Sequence, residues 1–445
     1  MRSPAVLLFV AIGTLACLSP VQNDTWWHLR SGQEMFRTHT LLFEDRFSYT
    51  ASGQFFWNHS WLSQLAFYAL YRVGGLPLLT GVCASAILGA WMVTWSSMRG
   101  PLTDRLMLAG LALSSATLTW SVRPQAFSLL LVPVVVWLAS EDRWRALLPL
   151  FALWANLHAG FVLGLVLVAS TVATALIWDR SRFLRRAGWA ALCAAVTLAT
   201  PLGIRNWTEV LASTARSRAN AIQEWQPTSF SVEHVAFWGL AALLVVVAVT
   251  RWKRLEGPAD RVLVMAAVVV LPLAVQSMRN VPAFAMLVAP AASRLMFRRS
   301  PSESMRLNPL LAGAAILVGI SVVVIAWKGP WARLGWHPMS PGAARAVAAC
   351  PPPLFNTYEG GGPIIWFAPT QPVFVDSRQD PFPVTLVQAA GKVERTGDYA
   401  QVFTMWHIHC AVLPPASPAV KRLRGDGWDA RFSDEQWVVL DHTSK

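Results

Sequence analysis

The chain has 445 residues, of which 54% are hydrophobic and 14% are charged, and its mean hydropathy is +0.42. In soluble proteins roughly a quarter of all residues are charged, so this composition excludes an ordinary soluble enzyme. The formal net charge of +13 would suit a nucleic-acid partner. However, the arginines are mostly confined to short gaps between apolar blocks, which indicates membrane topology and no nucleic acid.

The apolar blocks are about 15–20 residues long, the length that a helix needs to cross about 30 Å of hydrocarbon. Pro4 to Pro20 follows Arg2 and predicts an uncleaved first helix, with a cleaved signal peptide as the alternative. The fold class is an α-helical polytopic membrane protein with about 11 transmembrane helices. The further predicted spans are Leu76–Trp95, Leu106–Trp120, Ala126–Ala139, Ala146–Leu157, Gly160–Trp178, Gly188–Thr200, Val235–Thr250, Val262–Gln276, Val281–Ser293 and Leu310–Trp327.

The distribution of Lys and Arg predicts the orientation of these spans. With the N-terminus in the cytoplasm, 17 basic residues fall on the inner side and 5 fall in the outer gaps of the later spans. An odd number of spans then places the chain after Trp327 outside. The inner residues are Arg2, Arg99, Arg105, Arg143, Arg145, Arg180, Arg182, Arg185, Arg186, Arg251, Lys253, Arg254, Arg261, Arg294, Arg298, Arg299 and Arg306.

Two domains follow from this topology. Residues 1–327 form a transmembrane domain that includes a first extracytoplasmic loop, residues 21–74, and residues 328–445 form a small extracytoplasmic α/β domain. In the second domain, apolar runs predict strands at Leu354–Asn356, Pro372–Asp376, His409–Leu413 and Gln436–Leu440, and helices at Pro383–Val393 and Tyr399–Trp406.

Two features of this second domain leave alternatives open. Gly360-Gly361-Gly362 precedes an apolar stretch and is either a phosphate-binding turn or a plain tight turn. The Walker Lys and the dinucleotide fingerprint are absent, which favours the tight turn. Cys350 and Cys410 both lie in the exported domain and either pair or remain separate.

The first loop carries the candidate catalytic residues. A helix opening at Asp24 would place His28 one turn later on the same face, where an acid and an imidazole form a plausible proton-transfer set. The alternative is that Asp24 only caps this helix. Two more polar clusters follow in the loop. The first contains Asp45, which would support Asp24, and the second contains His59.

The later outer gaps each place a cationic or polar group at the depth of the membrane surface. Charges there are costly and usually face a polar cavity, and the planar guanidinium group suits a phosphate or pyrophosphate. The alternative for each arginine is snorkelling to the interface. The candidate substrate-binding residues in these gaps are Arg123, His158, Arg205, Arg279 and Asn280.

Several of these segments together resemble a known group of proteins. The resemblance rests on residues 24–32 (DTWWHLRSG), 44–50 (EDRFSYT), 57–62 (WNHSWL), 123–125 (RPQ), 154–161 (WANLHAGF), 279–284 (RNVPAF) and 373–378 (VFVDSR). The chain resembles bacterial polytopic proteins placed near the fold-C glycosyltransferases, which include protein O-mannosyltransferases and the catalytic subunits of oligosaccharyltransferases. The resemblance covers nearly the whole chain.

The resemblance implies an activity and a set of roles. It implies transfer of a sugar from a polyprenyl-phosphate donor to an acceptor hydroxyl, on the extracytoplasmic side of a bacterial inner membrane. Asp24 falls on the essential carboxylate of the superfamily, with His28 and Asp45 beside it. Arg123, His158, Arg205, Arg279, Asn280 and His59 would bind substrate.

Many relatives carry a second acid two positions before that carboxylate, where this chain has Gln22. This departure favours a site without a cofactor, although a divalent metal ion is possible. It also keeps open a non-catalytic scaffold or carrier-binding protein of envelope assembly. A secondary transporter is a third class, but it needs internal repeats that the sequence lacks.

Overall fold

The computed structural model describes residues 4–298, 308–329 and 334–442. Three residues of the predicted inner set, Arg2, Arg299 and Arg306, lie outside these ranges. The described chain forms two compact units. The helical unit comprises the described residues of 1–19, 77–207 and 222–329, and the mixed unit comprises those of 20–76, 208–221 and 330–445.

A helix lies at each predicted span, with bounds that differ by a few residues, except that the helix at Leu76–Trp95 begins already at Trp61. The first thirteen helices are α1 (Ala5–Cys17), α2 (Asn23–Thr38), α3 (Trp61–Ser96), α4 (Leu102–Ala116), α5 (Gln125–Ser140), α6 (Trp144–Leu157), α7 (Phe161–Trp178), α8 (Phe183–Val196), α9 (Arg205–Ala219), α10 (Val235–Arg251), α11 (Pro258–Gln276), α12 (Val281–Met296) and α13 (Pro309–Lys328). Segment α3 is broken at Gly74 and Gly75, and the positive φ of Gly75 requires a glycine there.

Within the described ranges, 5 helical segments are long and apolar enough to cross a membrane. They are Trp61–Ser96, Phe161–Trp178, Val232–Arg254, Pro258–Gln276 and Pro309–Lys328. The shorter helices α1 and α5 are also apolar. The count of about 11 spans therefore stays a prediction, whereas the mainly helical character of the chain is confirmed.

Helix α12 is at the centre of the helical unit. Nearly all its residues are buried, including Ala283, Ala285 and Ala289, and it packs against α4, α10 and α11. A helix that is apolar all round is buried on all sides, and small residues let neighbouring backbones approach closely. The outer helices therefore pack around α12.

The mixed unit is built on a small sheet. Its strands are β1 (Leu354–Asn356), β2 (Cys410–Leu413), β3 (Asp429–Ser433) and β4 (Val438–Asp441), in the order β1-β2-β4-β3. Strand β1 is parallel to β2, and the other pairs are antiparallel. The helices of this part are α14 (Pro341–Ala348), α15 (Gly361–Phe367), α16 (Val384–Thr396), α17 (Ala400–Met405) and α18 (Pro418–Gly425).

Both faces of this sheet are covered. Side chains alternate along a strand, so Val439 packs with Trp27 and Phe56 of the first loop, while Val438 and Leu440 belong to a second core with helices α16 and α18. Residues 20–76 therefore pack with the C-terminal segment. The predicted domain boundary after residue 327 stays a prediction.

The predicted strand at Pro372–Asp376 is wrong. Only Val373 pairs, as a single bridge to Ser48. The side chain of Asn356 accepts from the backbone N–H of Phe374 at 2.7 Å and donates to the carbonyl of Val375 at 2.7 Å. Because an amide side chain satisfies this buried backbone, no full strand partner is needed.

The other predicted strands and helices of the C-terminal part are confirmed within a few residues. Strand β3 and helices α14, α15 and α18 were not predicted. Strand β3 is largely exposed, so it lacks the apolar alternation by which strands are recognised. Cys350 and Cys410 form a disulfide, which settles the pairing that the sequence left open.

Candidate functional site

The three glycines 360–362 position the start of α2. A Cβ atom at Gly362 would lie 2.2 Å from the carbonyl oxygen of Asn23, and one at Gly361 would lie 2.4 Å from that of Val375. A side chain at Gly362 would push away the first turn of α2, and a side chain at Gly361 would push away the segment after residue 372. These glycines therefore serve close packing, and the phosphate-binding reading is not supported.

Asp24 does not cap its helix. Helix α2 begins at Asn23, with the extended Gln22 at the N-cap, so Asp24 is the second helical residue. A carboxylate in the first turn is favoured by the helix dipole. The reading of Asp24 as a cap is therefore wrong in detail, and its side chain is available for other contacts.

The side chain of Asp24 meets a residue that is distant in sequence. The hydroxyl of Ser377 donates to Asp24 Oδ1. The indole Nε1 of Trp27 lies 3.2 Å from the same oxygen and 3.0 Å from Ser377 Oγ. Two donors thus hold one carboxylate oxygen in place.

The backbone of Ser377 is fixed by Tyr358. Tyr358 Oη donates to the Ser377 carbonyl oxygen at 3.1 Å, and its backbone N–H donates to Glu394 Oε1 at 2.6 Å. Burial, helped by nearby carboxylates, raises the pKa of Tyr358 well above its usual value. The phenol therefore stays protonated and remains a donor at neutral pH.

Next to Ser377, Arg378 forms a buried cluster that we call the Arg378 cluster: Arg378, Asp45 and Asp376. Its Nη2 lies 2.6 Å from Asp45 Oδ1 and 2.6 Å from Asp376 Oδ2, and its Nε lies 2.8 Å from Asp376 Oδ1. All three side chains are 0% exposed. Burial is the largest cause of the raised pKa of Asp376, and the charge of Asp45 adds to it, while Arg378 acts in the opposite direction. Asp45 thus serves to join the first loop to the C-terminal segment.

The two candidate histidines of the first loop, His28 and His59, have other neighbours. His28 Nδ1 lies 3.2 Å from Gln64 Nε2, and its ring packs on that of Trp27 with centroids 3.7 Å apart. His59 Nδ1 lies 3.3 Å from the carbonyl oxygen of Trp57. His28 therefore supports Trp27, which in turn contacts Asp24.

A second group of polar residues lies in the helical unit, and we call it the Glu224 cluster: Arg123, Glu224, Arg279 and His158. Arg123 Nη2 lies 3.1 Å from Glu224 Oε2, and Arg279 Nη1 lies 3.2 Å from Glu224 Oε1. The side chains of Arg123, Arg279 and Glu224 are 13%, 24% and 24% exposed. Two cations thus share one carboxylate at a site that solvent reaches.

His158 extends this cluster into the unit. Its Nε2 lies 3.1 Å from Arg279 Nη2, and its Nδ1 lies 2.7 Å from Ser128 Oγ, which accepts from Trp154 Nε1 at 2.8 Å. The structure therefore brings three predicted substrate-binding residues together, Arg123, His158 and Arg279.

Two other predicted residues have different settings. Asn280 donates to the Leu273 carbonyl oxygen at 3.1 Å, which satisfies the end of α11. Arg205 is exposed at the first residue of α9.

Glu224 and Ser377 were not singled out from the sequence. Ser377 lies within the VFVDSR motif, which was quoted only for the resemblance.

Metal ligands were tested as a group. Across residues 4–298, 308–329 and 334–442, no three His, Cys, Asp or Glu side chains are grouped as a metal ion would require. The Asp24 carboxylate contacts Ser377 and Trp27.

No protein-family model and no curated protein matches the sequence. Solved structures do match over most of the chain. The archaeal oligosaccharyltransferase AglB from Archaeoglobus fulgidus, in complex with an inhibitory peptide and a dolichol-phosphate, matches with a TM-score of 0.58 at 12% identity, over 92% of this chain and 69% of that one. ArnT from Cupriavidus metallidurans in the apo state matches with a TM-score of 0.50 at 14% identity, over 98% and 97%.

The chain has the glycosyltransferase C fold. At these identities the likeness establishes the fold and leaves the reaction open. The resemblance found in the sequence motifs is thereby confirmed at the level of fold. Together with the long apolar helices, this fold makes the chain a multi-pass membrane protein.

Proposed function

We propose that this chain is a membrane glycosyltransferase that moves a sugar from a polyprenyl-phosphate donor to an acceptor hydroxyl. The observation that carries the proposal is the setting of Asp24, which two donors orient at the start of α2. The fold supports it, since AglB of the same fold was solved with a dolichol-phosphate.

In the proposed reaction, Asp24 acts as the general base. The acceptor oxygen forms a bond to the anomeric carbon while the bond from that carbon to the donor phosphate breaks. The acceptor proton moves to the Asp24 carboxylate, and the electron pair leaves with the phosphate. Ser377 and Trp27 hold the carboxylate in orientation, which is how positioned groups contribute to rate.

The Glu224 cluster is proposed to bind the phosphate of the donor. Arg123 and Arg279 carry one more positive charge than Glu224 neutralises, and their planar groups match phosphate oxygens. Negative charge that develops on the leaving phosphate would be stabilised there. Arg205 is included in this role by the sequence argument alone.

We also propose that the residues after 327 lie on the extracytoplasmic side of the bacterial inner membrane, with the N-terminus in the cytoplasm. The count of 17 basic residues against 5 supports this orientation. The Cys350–Cys410 disulfide supports it independently, because disulfides persist in oxidising compartments. Reporter fusions after Trp327 should be exported, and a cytoplasmic reporter there would contradict the orientation.

The direct test uses the purified chain, a radiolabelled polyprenyl-phosphate sugar and the Asp24→Asn variant. The amide keeps the size of the side chain but cannot take the proton, so transfer should fall about a hundredfold or more. Thermal stability should change little. The matched control is Glu435→Gln, an exposed acid of the mixed unit that should keep full activity.

The outcomes separate the alternatives. Near-normal transfer by Asp24→Asn would contradict the role of base. Carrier binding by the unmodified chain without any transfer would favour a non-catalytic scaffold, the reading that Gln22 keeps open. Transfer that persists in a chelator would support the proposed independence of a metal ion.

A further inference from the structure

A pocket of the mixed unit lies apart from the residues assigned so far. It has a volume of about 460 Å³ and is lined by the second half of α2 and by the part of α3 that precedes Gly74. Its cationic side chains are Arg30, Arg37 and Arg72. The proposed reaction gives none of them a role.

The pocket carries more positive than negative charge. Arg37 Nη2 lies 2.8 Å from Glu34 Oε1, so this arginine is largely neutralised. Arg30 donates to the uncharged amide oxygen of Gln33 at 2.9 Å, and Arg72 lies over the ring of Phe36 at 5.2 Å. Among the residues that the structure describes, no carboxylate lies within 4.0 Å of Arg30 or Arg72. Two guanidinium groups therefore remain available to an anion.

This pocket uses a different face of α2 from Asp24. Successive residues of an α-helix are rotated by about 100°, so Arg30 and Arg37 point about 120–140° away from Asp24, with Trp27 between them. Trp27 is buried against the core that covers the sheet, whereas Arg30 and Arg37 line the pocket. An anion in the pocket would therefore not contact the carboxylate of Asp24.

Exposed apolar residues accompany the pocket in the sequence. Phe36, which lines the pocket, is exposed, and so are Leu41, which follows the lining residue His39, and Val73, which is next to Arg72 and 83% exposed. Arg72 also precedes by four residues the apolar segment Leu76–Trp95 that the sequence predicts as a span. Exposed apolar side chains next to arginines are typical of a protein surface that meets lipid headgroups.

We propose that this pocket binds a phosphate group, with Arg30 and Arg72 as its ligands. Arginine forks match phosphate oxygens, and the pair of Arg37 and Glu34 leaves the positive charge of Arg30 and Arg72 uncompensated. An anionic phospholipid headgroup and a free phosphate ion share this chemistry. The exposed apolar side chains of Phe36 and of Val73, next to Arg72 in the sequence, favour the headgroup, because acyl chains would cover them.

The test compares the full chain with the variant Arg30→Gln/Arg72→Gln. In nanodiscs that contain phosphatidylcholine and phosphatidylglycerol, native mass spectrometry counts the phosphatidylglycerol molecules that stay bound to the released protein. The matched control is Arg422→Gln/Arg424→Gln, which removes the same charge from exposed positions of α18. We expect the pocket variant to lose phosphatidylglycerol on the order of tenfold and the control to retain it.

A second arm distinguishes the source of the phosphate. Inorganic phosphate is titrated onto the protein in an uncharged detergent, and the unfolding temperature is recorded. Phosphate could raise the unfolding temperature of the full chain and of the control but not of the pocket variant, while all three bind the same amount of phosphatidylglycerol. This result would assign the pocket to free phosphate. Equal behaviour of the pocket variant and the control in both arms would overturn the proposal. Arg72→Gln alone, at an exposed residue, serves if the double variant fails to fold, and it should lose part of the bound lipid.

Discussion

The Arg378 cluster and the Glu224 cluster have opposite stoichiometry. In the Arg378 cluster, one guanidinium faces two carboxylates and all three side chains are excluded from solvent. In the Glu224 cluster, one carboxylate faces two guanidinium groups, which are 13% and 24% exposed. The first carries an excess of negative charge, and the second an excess of positive charge.

This difference separates holding a fold together from binding a ligand. A fully buried cluster has no room for a ligand, and its charges are satisfied by one another or not at all. A partly exposed cluster with surplus cations can exchange its internal carboxylate for an external phosphate. Charge count and burial thus distinguish the two roles where residue type alone does not, since both clusters contain arginine and carboxylate.

The largest expected effect is on the Arg378 cluster. Arg378→Met would leave Asp45 and Asp376 buried without a counter-charge, which typically costs about 3–5 kcal/mol. We expect a large drop in the unfolding temperature of the detergent-solubilised protein. The exposed Arg424→Met on α18 is the control and should change stability little. A triple variant, Arg378→Met with Asp45→Asn and Asp376→Asn, should recover part of the loss, and no recovery would contradict this account.

A third group, formed by Arg216, Asp380 and Glu209, also pairs one arginine with two carboxylates, but its arginine is partly exposed. Arg216 Nη2 lies 3.0 Å from Asp380 Oδ1 and 3.3 Å from Glu209 Oε2, but its side chain is 25% exposed. Burial outweighs the attraction of Arg216 and raises the pKa of Asp380 to about 6. The folded state therefore binds this proton more tightly than the unfolded state, whose pKa is near the usual 3.8.

The raised pKa of Asp380 determines how the stability of the protein changes with pH. Ionised Asp380 lowers the stability at pH values above 6, and that penalty disappears as the pH falls from about 6 towards about 4. Asp380→Asn removes the titration, so the stability of the wild type relative to this variant should rise over this window, by about 1–3 kcal/mol. Unfolding temperatures of both proteins across the pH range measure it. A relative stability that falls on acidification would show that Arg216 dominates.

The Glu224 cluster should respond through binding. Arg279→Lys replaces a planar fork by a point charge, and we expect about tenfold weaker binding of a polyprenyl phosphate with little change in stability. Isothermal titration in detergent measures the affinity. Unchanged binding after alanine substitution of Arg123, Arg205 and Arg279 together would return these arginines to the snorkelling alternative.

The sequence predicted those parts of the molecule that depend on local patterns. Apolar runs located the helices, and Asp24 was located because it directly follows the first of them. The partners of Asp24 and Asp45 could not be predicted, because Ser377 and Arg378 are more than three hundred residues away along the chain. Glu224 was missed because the candidates in the outer gaps were chosen among cationic and uncharged polar residues.

The smallest expected effect is that of Glu224→Gln in the Glu224 cluster. If the carboxylate occupies the position of a ligand phosphate, its neutralisation should remove a competitor and strengthen binding of a polyprenyl phosphate severalfold, with little effect on stability at a partly exposed site. Asp260 is the matched control, because it also faces two arginines, Arg99 and Arg294, but is only 2% exposed. Asp260→Asn should therefore reduce stability, since it leaves two largely buried arginines without a counter-charge, and should leave the affinity unchanged in whatever protein folds. Weaker binding by Glu224→Gln would mean that this carboxylate orients the arginines for the ligand, and the exposed cluster would then share the structural role of the buried one.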